Sequence, residues 1–140
     1  VDREVSDGHR IVTAPGLAEP VGYAHAVVAA PGRTVYLGGQ VALDAGGNVR
    51  GETVAEQFDL AAANVVAALT AAGGRPDDLV SLLVFVTDMR EYRASLGELG
   101  VVWRRHFGSR YPAMALVAVS DLVEPDARVE LVGVAVVRDG

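Results

Sequence analysis

The sequence predicts an α+β fold, and three observations carry the prediction. Two segments repeat apolar residues at helical spacing, each opened by a capping-box pattern and each closed by glycine. Short runs rich in β-branched residues surround them, bounded by glycine and proline. The order is strand, hairpin, helix, strand, helix, strand, strand, which is not the strict alternation of a doubly wound sheet.

Within the first 20 residues or so, one apolar run, IVTA, lies near Pro15, Gly16 and Pro20, so an edge strand inside loops is expected. YAHAVVAA and RTVYLGGQV then flank Pro31 and Gly32, which suit the central positions of a type II turn and predict a hairpin. DAGGN, 44–48, is a loop. Thr53 and Glu56 open the first helix, whose stripe of Phe58, Ala62, Val65, Leu69 and Ala72 stops at Gly73 and Gly74. LVSLLVFVT, 79–87, is a continuous apolar strand. Asp88 and Glu91 open a second helix with the stripe Tyr92, Leu96, Leu99, Trp103 and Phe107, ending at Gly108. Strands at about 112–119 and 128–137 finish the chain. The sum is about six strands and two helices.

Two amphipathic helices cover one face of such a sheet, yet the strands at 79–87, 112–119 and 129–137 are apolar on both faces. Another copy of the chain is the simplest cover for the second face, so a homo-oligomer is expected. The length of 140 residues fits one domain spanning 1–140. No window reaches the apolar length of a membrane span, and VDREVSDGHR lacks a signal peptide's order, so a cytoplasmic protein without a membrane partner is expected. There are no cysteines, and the three histidines, His9, His25 and His106, are far apart, which argues against a metal site. A net charge of −6 with scattered basic residues opposes nucleic-acid binding and favours small-molecule partners.

One carboxylate, Glu130, sits inside VELVGVAVV on a strand face with Val132, Val134 and Val136. Stripped of water, such a group finds a partner or favours its neutral form, which suits acid–base work. The alternative is a solvated carboxylate near the strand end, paired with Arg128 two residues away.

The order GYAHAV, VYLGGQVALD, VTDM, YPAM and VELVGVAVV resembles the Rid family, the reactive intermediate deaminases also called YjgF proteins, over about residues 10–138. The resemblance implies a chorismate-mutase-like fold, a six-stranded sheet with two helices on one face, closed as a homotrimeric barrel. It implies three clefts between subunits that bind small carboxylates and imines, and no cofactor. In the branch that hydrolyses 2-imino acids, an arginine after the Pro-Ala pair grips the substrate carboxylate; here Met114 stands there, without charge or donor. Glu130 corresponds to the family glutamate that positions or activates water, and Tyr23 to the tyrosine lining the cleft. Gly38, Gly39 and Gln40 correspond to the Ser-Gly-Gln segment, whose backbone N–H groups meet the ligand, and Ser81 replaces a frequent lysine. Met114 is thereby expected to wall Glu130 with an adaptable apolar side chain. The glycines also suit a bulge in a barrel strand.

His25, on the same face as Tyr23, reads as a hydrogen-bonded histidine without a chemical role, and Arg110 as a surface arginine within reach of a cleft. His106 and the two arginines before it read as solvated residues at a helix C-terminus. Two function classes follow: a deaminase-like hydrolase of imines or enamines with an altered substrate, and a non-catalytic trimer that senses a metabolite or regulates a partner. The ribonuclease label attached to some relatives has no basic groove to support it here.

Overall fold

The computed structural model describes residues 2–4 and 8–138; of the loops expected in the first twenty residues, positions 1 and 5–7 lie outside it. Strands β1 (Asp2–Glu4), β2 (Arg10–Val12) and β3 (Ala26–Val28) form an antiparallel three-stranded sheet. Strands β4 (Gly32–Tyr36), β5 (Leu79–Val86), β6 (Ala113–Ala118) and β7 (Val129–Arg138) form a mixed sheet of order β4-β7-β5-β6. Only β5 and β6 run parallel, and α2 and α3 supply the connection between them.

The expected hairpin around Pro31 and Gly32 does not form. β3 pairs with β2 and β4 pairs with β7, so the two runs go to different sheets. Gly32 does not have a positive φ, as the second central residue of a type II turn must. It is small for another reason: a Cβ there would lie 2.8 Å from the Val137 carbonyl carbon, where β4 meets β7. The single six-stranded sheet is accordingly divided into three and four strands, joined through one bridge, Ala24 to Ala113.

Helix α1 (Val54–Ala71) begins as its caps require. Thr53 Oγ1 accepts the Glu56 amide at 3.2 Å, and Gly73, at φ +87°, ends the helix in a conformation that costs glycine little. Its stripe of Phe58, Ala62, Val65 and Leu69 is fully buried against the sheet. The second predicted helix is two, α2 (Met89–Ala94) and α3 (Leu96–Phe107), broken at Ser95. Asp88 caps α2 as expected, but Glu91 does not complete the box. Its carboxylate accepts the Val54 amide at 2.8 Å and the Arg128 guanidinium at 3.0 Å, capping α1 instead.

Helices α1 and α3 cover one face of the larger sheet, as periodicity implied. Leu82, Val84, Val86, Val129 and Leu131 are wholly buried beneath them. The opposite face is open. On it Tyr36 is 80%, Leu83 43% and Val117 46% exposed. Among the described residues no helix is long and apolar enough to cross a membrane.

Candidate functional site

Strand pairing decides where each predicted residue points. Glu130 is paired with Phe85, and the next pair, Leu131 with Val84, is buried under the helices. Alternation therefore sends Glu130 to the open face, with Val132, Val134, Leu83 and Ser81. The carboxylate is half-buried and has no hydrogen bond or ion pair among the described residues. Arg128, its suggested partner, is bound to Glu91.

What the carboxylate meets instead is a glycine. From Tyr36 to Gln40 the chain takes four steps while β7 takes three, Val134 to Leu131, so Leu37 to Gly39 form a bulge. Gln40 closes it with paired backbone bonds to Leu131 of 2.8 and 2.9 Å. A Cβ on Gly39 would overlap the Glu130 carboxylate, 2.9 Å from its Cδ, whereas a Cβ on Gly38 would meet nothing within 4 Å. Gly39 is thus the seat of Glu130, and Gly38 leaves its edge of the bulge bare. The bulge and the close-approach readings of these glycines both hold.

Met114 lies elsewhere, which corrects the expectation that it walls Glu130. In the sheet order β5 separates β6 from β7, and Met114 is paired with Leu82, a buried residue of the helical face. Met114 packs toward the helices; Glu130 points the other way. Beside Glu130 stand Phe85 across the strand pair and the Gly39 backbone.

Tyr23, 39% exposed, lies at the β6 edge, where the Ala24 amide donates to Pro112 O at 3.0 Å. It lines an open cavity of about 360 Å³ with Thr13, Glu19 and Tyr111. His25 fixes this corner: Nδ1 accepts the Ala14 amide at 3.0 Å, so the proton sits on Nε2, which donates to Ala18 O at 2.9 Å. It is a structural histidine, its ring 5.9 Å from that of Tyr23. His9 does the same deeper in the fold, accepting the Ala30 amide at Nδ1 and donating from Nε2 to Val136 O, both at 2.9 Å.

Two more cations are less free than their positions suggested. Arg110 is ion-paired with Asp77. His106 is largely covered and bonds to Asp59 at 2.5 Å, and Arg105 reaches the same carboxylate at 2.8 Å, so this helix end is clamped to α1 rather than solvated. Burial pushes the Asp59 carboxyl up, but the hydrogen bonds from His106 and Arg105 outweigh it and hold the group below the ordinary aspartate range. No group of three or more metal-ligating side chains occurs among the described residues.

A second cavity, of about 330 Å³, lies next to the Tyr23 cavity and shares Gly22 and Tyr111 with it. Met114, Tyr92, Trp103 and Tyr111 line it. Sequence reasoning took Tyr92 and Trp103 as core stripe alone; the signal for a site was their polar handles within an otherwise apolar pattern.

The sequence profile of a family described as Endoribonuclease L-PSP matches residues 14–137. A protein named 2-iminobutanoate/2-iminopropanoate deaminase from Dermatophagoides farinae is 30% identical over 132 residues, covering 92% of this chain and 97% of its own. Among solved structures, the Rid family protein YyfB of Yersinia pestis, itself described as of unknown function, superposes with a TM-score of 0.83 at 27% identity, covering 92% of this chain and 98% of that one. The YjgF gene product of E. coli matches with a TM-score of 0.67 at 28% identity, covering 89% and 94%.

Proposed function

The chain belongs to the endoribonuclease L-PSP family, the Rid or YjgF proteins, and we propose that it works as a closed homotrimer whose intersubunit clefts bind a small imine or enamine and hydrolyse it at Glu130. One observation carries this reading. The candidate residues fall on opposite sides of the sheet, with Gly38, Gly39 and Glu130 toward the β4–β7 edge and Tyr23 and Met114 at the β6 edge. A head-to-tail contact brings the β6 edge of one copy to the β4–β7 edge of the next, and such a heterologous contact closes into a ring when its rotation permits. The open apolar face supports the same assembly, since three copies cover it mutually.

In the cleft so formed, Glu130 is the acid–base group. It takes a proton from water as the oxygen adds to the imine carbon, then returns it to nitrogen as the C–N bond breaks, releasing ammonia and leaving a carbonyl compound. Backbone N–H groups at the Gly38–Gly39 bulge orient the reacting atoms, and Tyr23 lines the entrance. The relative from Dermatophagoides farinae is named for 2-imino acids, whose carboxylate calls for a cation. Met114 supplies none, so the preferred substrate here has no carboxylate at that position.

Imines generated in situ by an amine oxidase (uncharged products) and by an amino-acid oxidase (carboxylated products) test the reading. The expected result is ammonia release above the spontaneous rate with the uncharged imines, lost in Glu130→Gln. Release confined to carboxylated imines would overturn the substrate assignment. The absence of partners around Glu130 favours a second reading, a metabolite-binding trimer without turnover; there Glu130→Ala leaves ligand affinity in place and no variant changes ammonia release.

A further inference from the structure

The cavity between α2, α3 and β6 is built unlike the Glu130 site. Phe58, Tyr92, Leu99, Trp103, Tyr111 and Met114 are its principal walls, and none of its lining residues is charged. Its rings are fixed rather than loose: Trp103 stacks on Tyr111 with centroids 5.0 Å apart and planes at 20°, and contacts Phe107 at 4.4 Å. The indole Nε1 donates to Arg110 O at 3.0 Å, which locks the Trp103 ring edge. Two polar atoms are left over. The Tyr92 and Tyr111 hydroxyls make no hydrogen bond among the described residues, although both side chains are half-buried. Burial and the neighbouring Tyr111 oxygen push the Tyr92 hydroxyl up to about 12, so it is a proton donor throughout the physiological range.

We propose that this cavity is a binding site for an uncharged, planar aromatic molecule bearing one hydrogen-bond acceptor, with the ring held among Trp103, Phe58 and Met114 and the acceptor held by the Tyr92–Tyr111 hydroxyl pair. A volume of about 330 Å³ is at the small end of ligand pockets, so a single substituted ring is the matching size. Aromatic walls give the ring offset and edge contacts, and the flexible thioether of Met114 adapts to its substituent. Exclusion of anions follows from the lining: a carboxylate there is desolvated with no cation to compensate it. The site lies on the helical side of the sheet and within one copy of the chain, so it does not depend on hydrolysis at Glu130 or on ring closure.

Benzamide and benzoate separate the alternatives, since they share a ring and differ in charge. Trp103 is the only tryptophan, so its fluorescence reports on the cavity directly. With the full chain as it exists in solution, benzamide is expected to give a saturable change, at an affinity at least tenfold above that for benzoate. Tyr92→Phe, which keeps the packing, is expected to weaken benzamide three- to tenfold, and Met114→Arg to shift the preference toward benzoate. Benzoate binding as tightly as benzamide to the unaltered protein would overturn the proposal, as would no saturable signal with either probe. Unchanged benzamide affinity in both Tyr92→Phe and Tyr111→Phe would remove the hydroxyl pair and with it the proposed polarity of the ligand.

Discussion

At the scale of single residues, the contrast between Gly38 and Gly39 is the sharpest consequence of the fold. They are neighbours in one bulge, yet only one faces another side chain. Gly39→Ala puts a methyl group where the Glu130 carboxylate rests. Because the obstacle is the end of a flexible side chain, Glu130 can rotate aside, at a stability cost of about 1 kcal/mol. Its position in the cleft is lost all the same. The expected outcome is a near-normal melting temperature with turnover reduced as in Glu130→Gln, whereas Gly38→Ala leaves both unchanged. Thermal melts and ammonia release on the two variants check this. The role of Glu130 was legible in the chain as a lone carboxylate in an apolar strand. Its seat was not, since nothing local marks which of two glycines it will touch.

At the scale of elements, contacts between distant segments carry much of the order. Gln57, in the first turn of α1 and almost wholly buried, spends its amide on three backbone groups: Gly51 O at 3.1 Å, Asp126 O at 3.0 Å and the Arg128 amide at 2.7 Å. Asp59, one turn earlier than Ala62, ties α1 to the end of α3 through His106 and Arg105. The folded-state pKa of Asp59 lies below its unfolded value, so its contribution to stability is present above the ordinary aspartate range and is lost as pH falls through the lowered value. Asp59→Asn is therefore expected to lower stability near neutral pH and to flatten the acid limb of the curve, with the difference between the proteins vanishing in strong acid. Denaturant titrations across pH measure it. Helix starts and stops were readable here because caps are local; Thr53, Asp88, Gly73 and Gly108 all act where expected. The break at Ser95 and the diversion of Glu91 to α1 depend on what packs nearby, which periodicity does not encode.

For the whole molecule, the open face of the larger sheet is decisive. Val117 and Leu83 stand on it, each more than two-fifths exposed, on strands whose other face is the core. A charge placed there leaves the helical face untouched but opposes burial of the open face between copies. Light scattering should find three times the mass of one chain for the unaltered protein and the mass of one chain for Val117→Asp, with helix content preserved by circular dichroism. An unaltered protein that stays at the mass of one chain would leave the candidate residues on separate edges and remove the proposed cleft.

The chain by itself determined the α+β class, the helix boundaries, the three long strands and the family resemblance, because each rests on short-range periodicity, caps or local motif. Tertiary structure alone decided the rest. It set β5 between β6 and β7, turned Met114 toward the helices and Glu130 away from them, and sent the two halves of the expected hairpin to different sheets. Strands that are apolar on both faces are compatible with either orientation and with several neighbours, so the choice falls to long-range burial, which no short segment of sequence records.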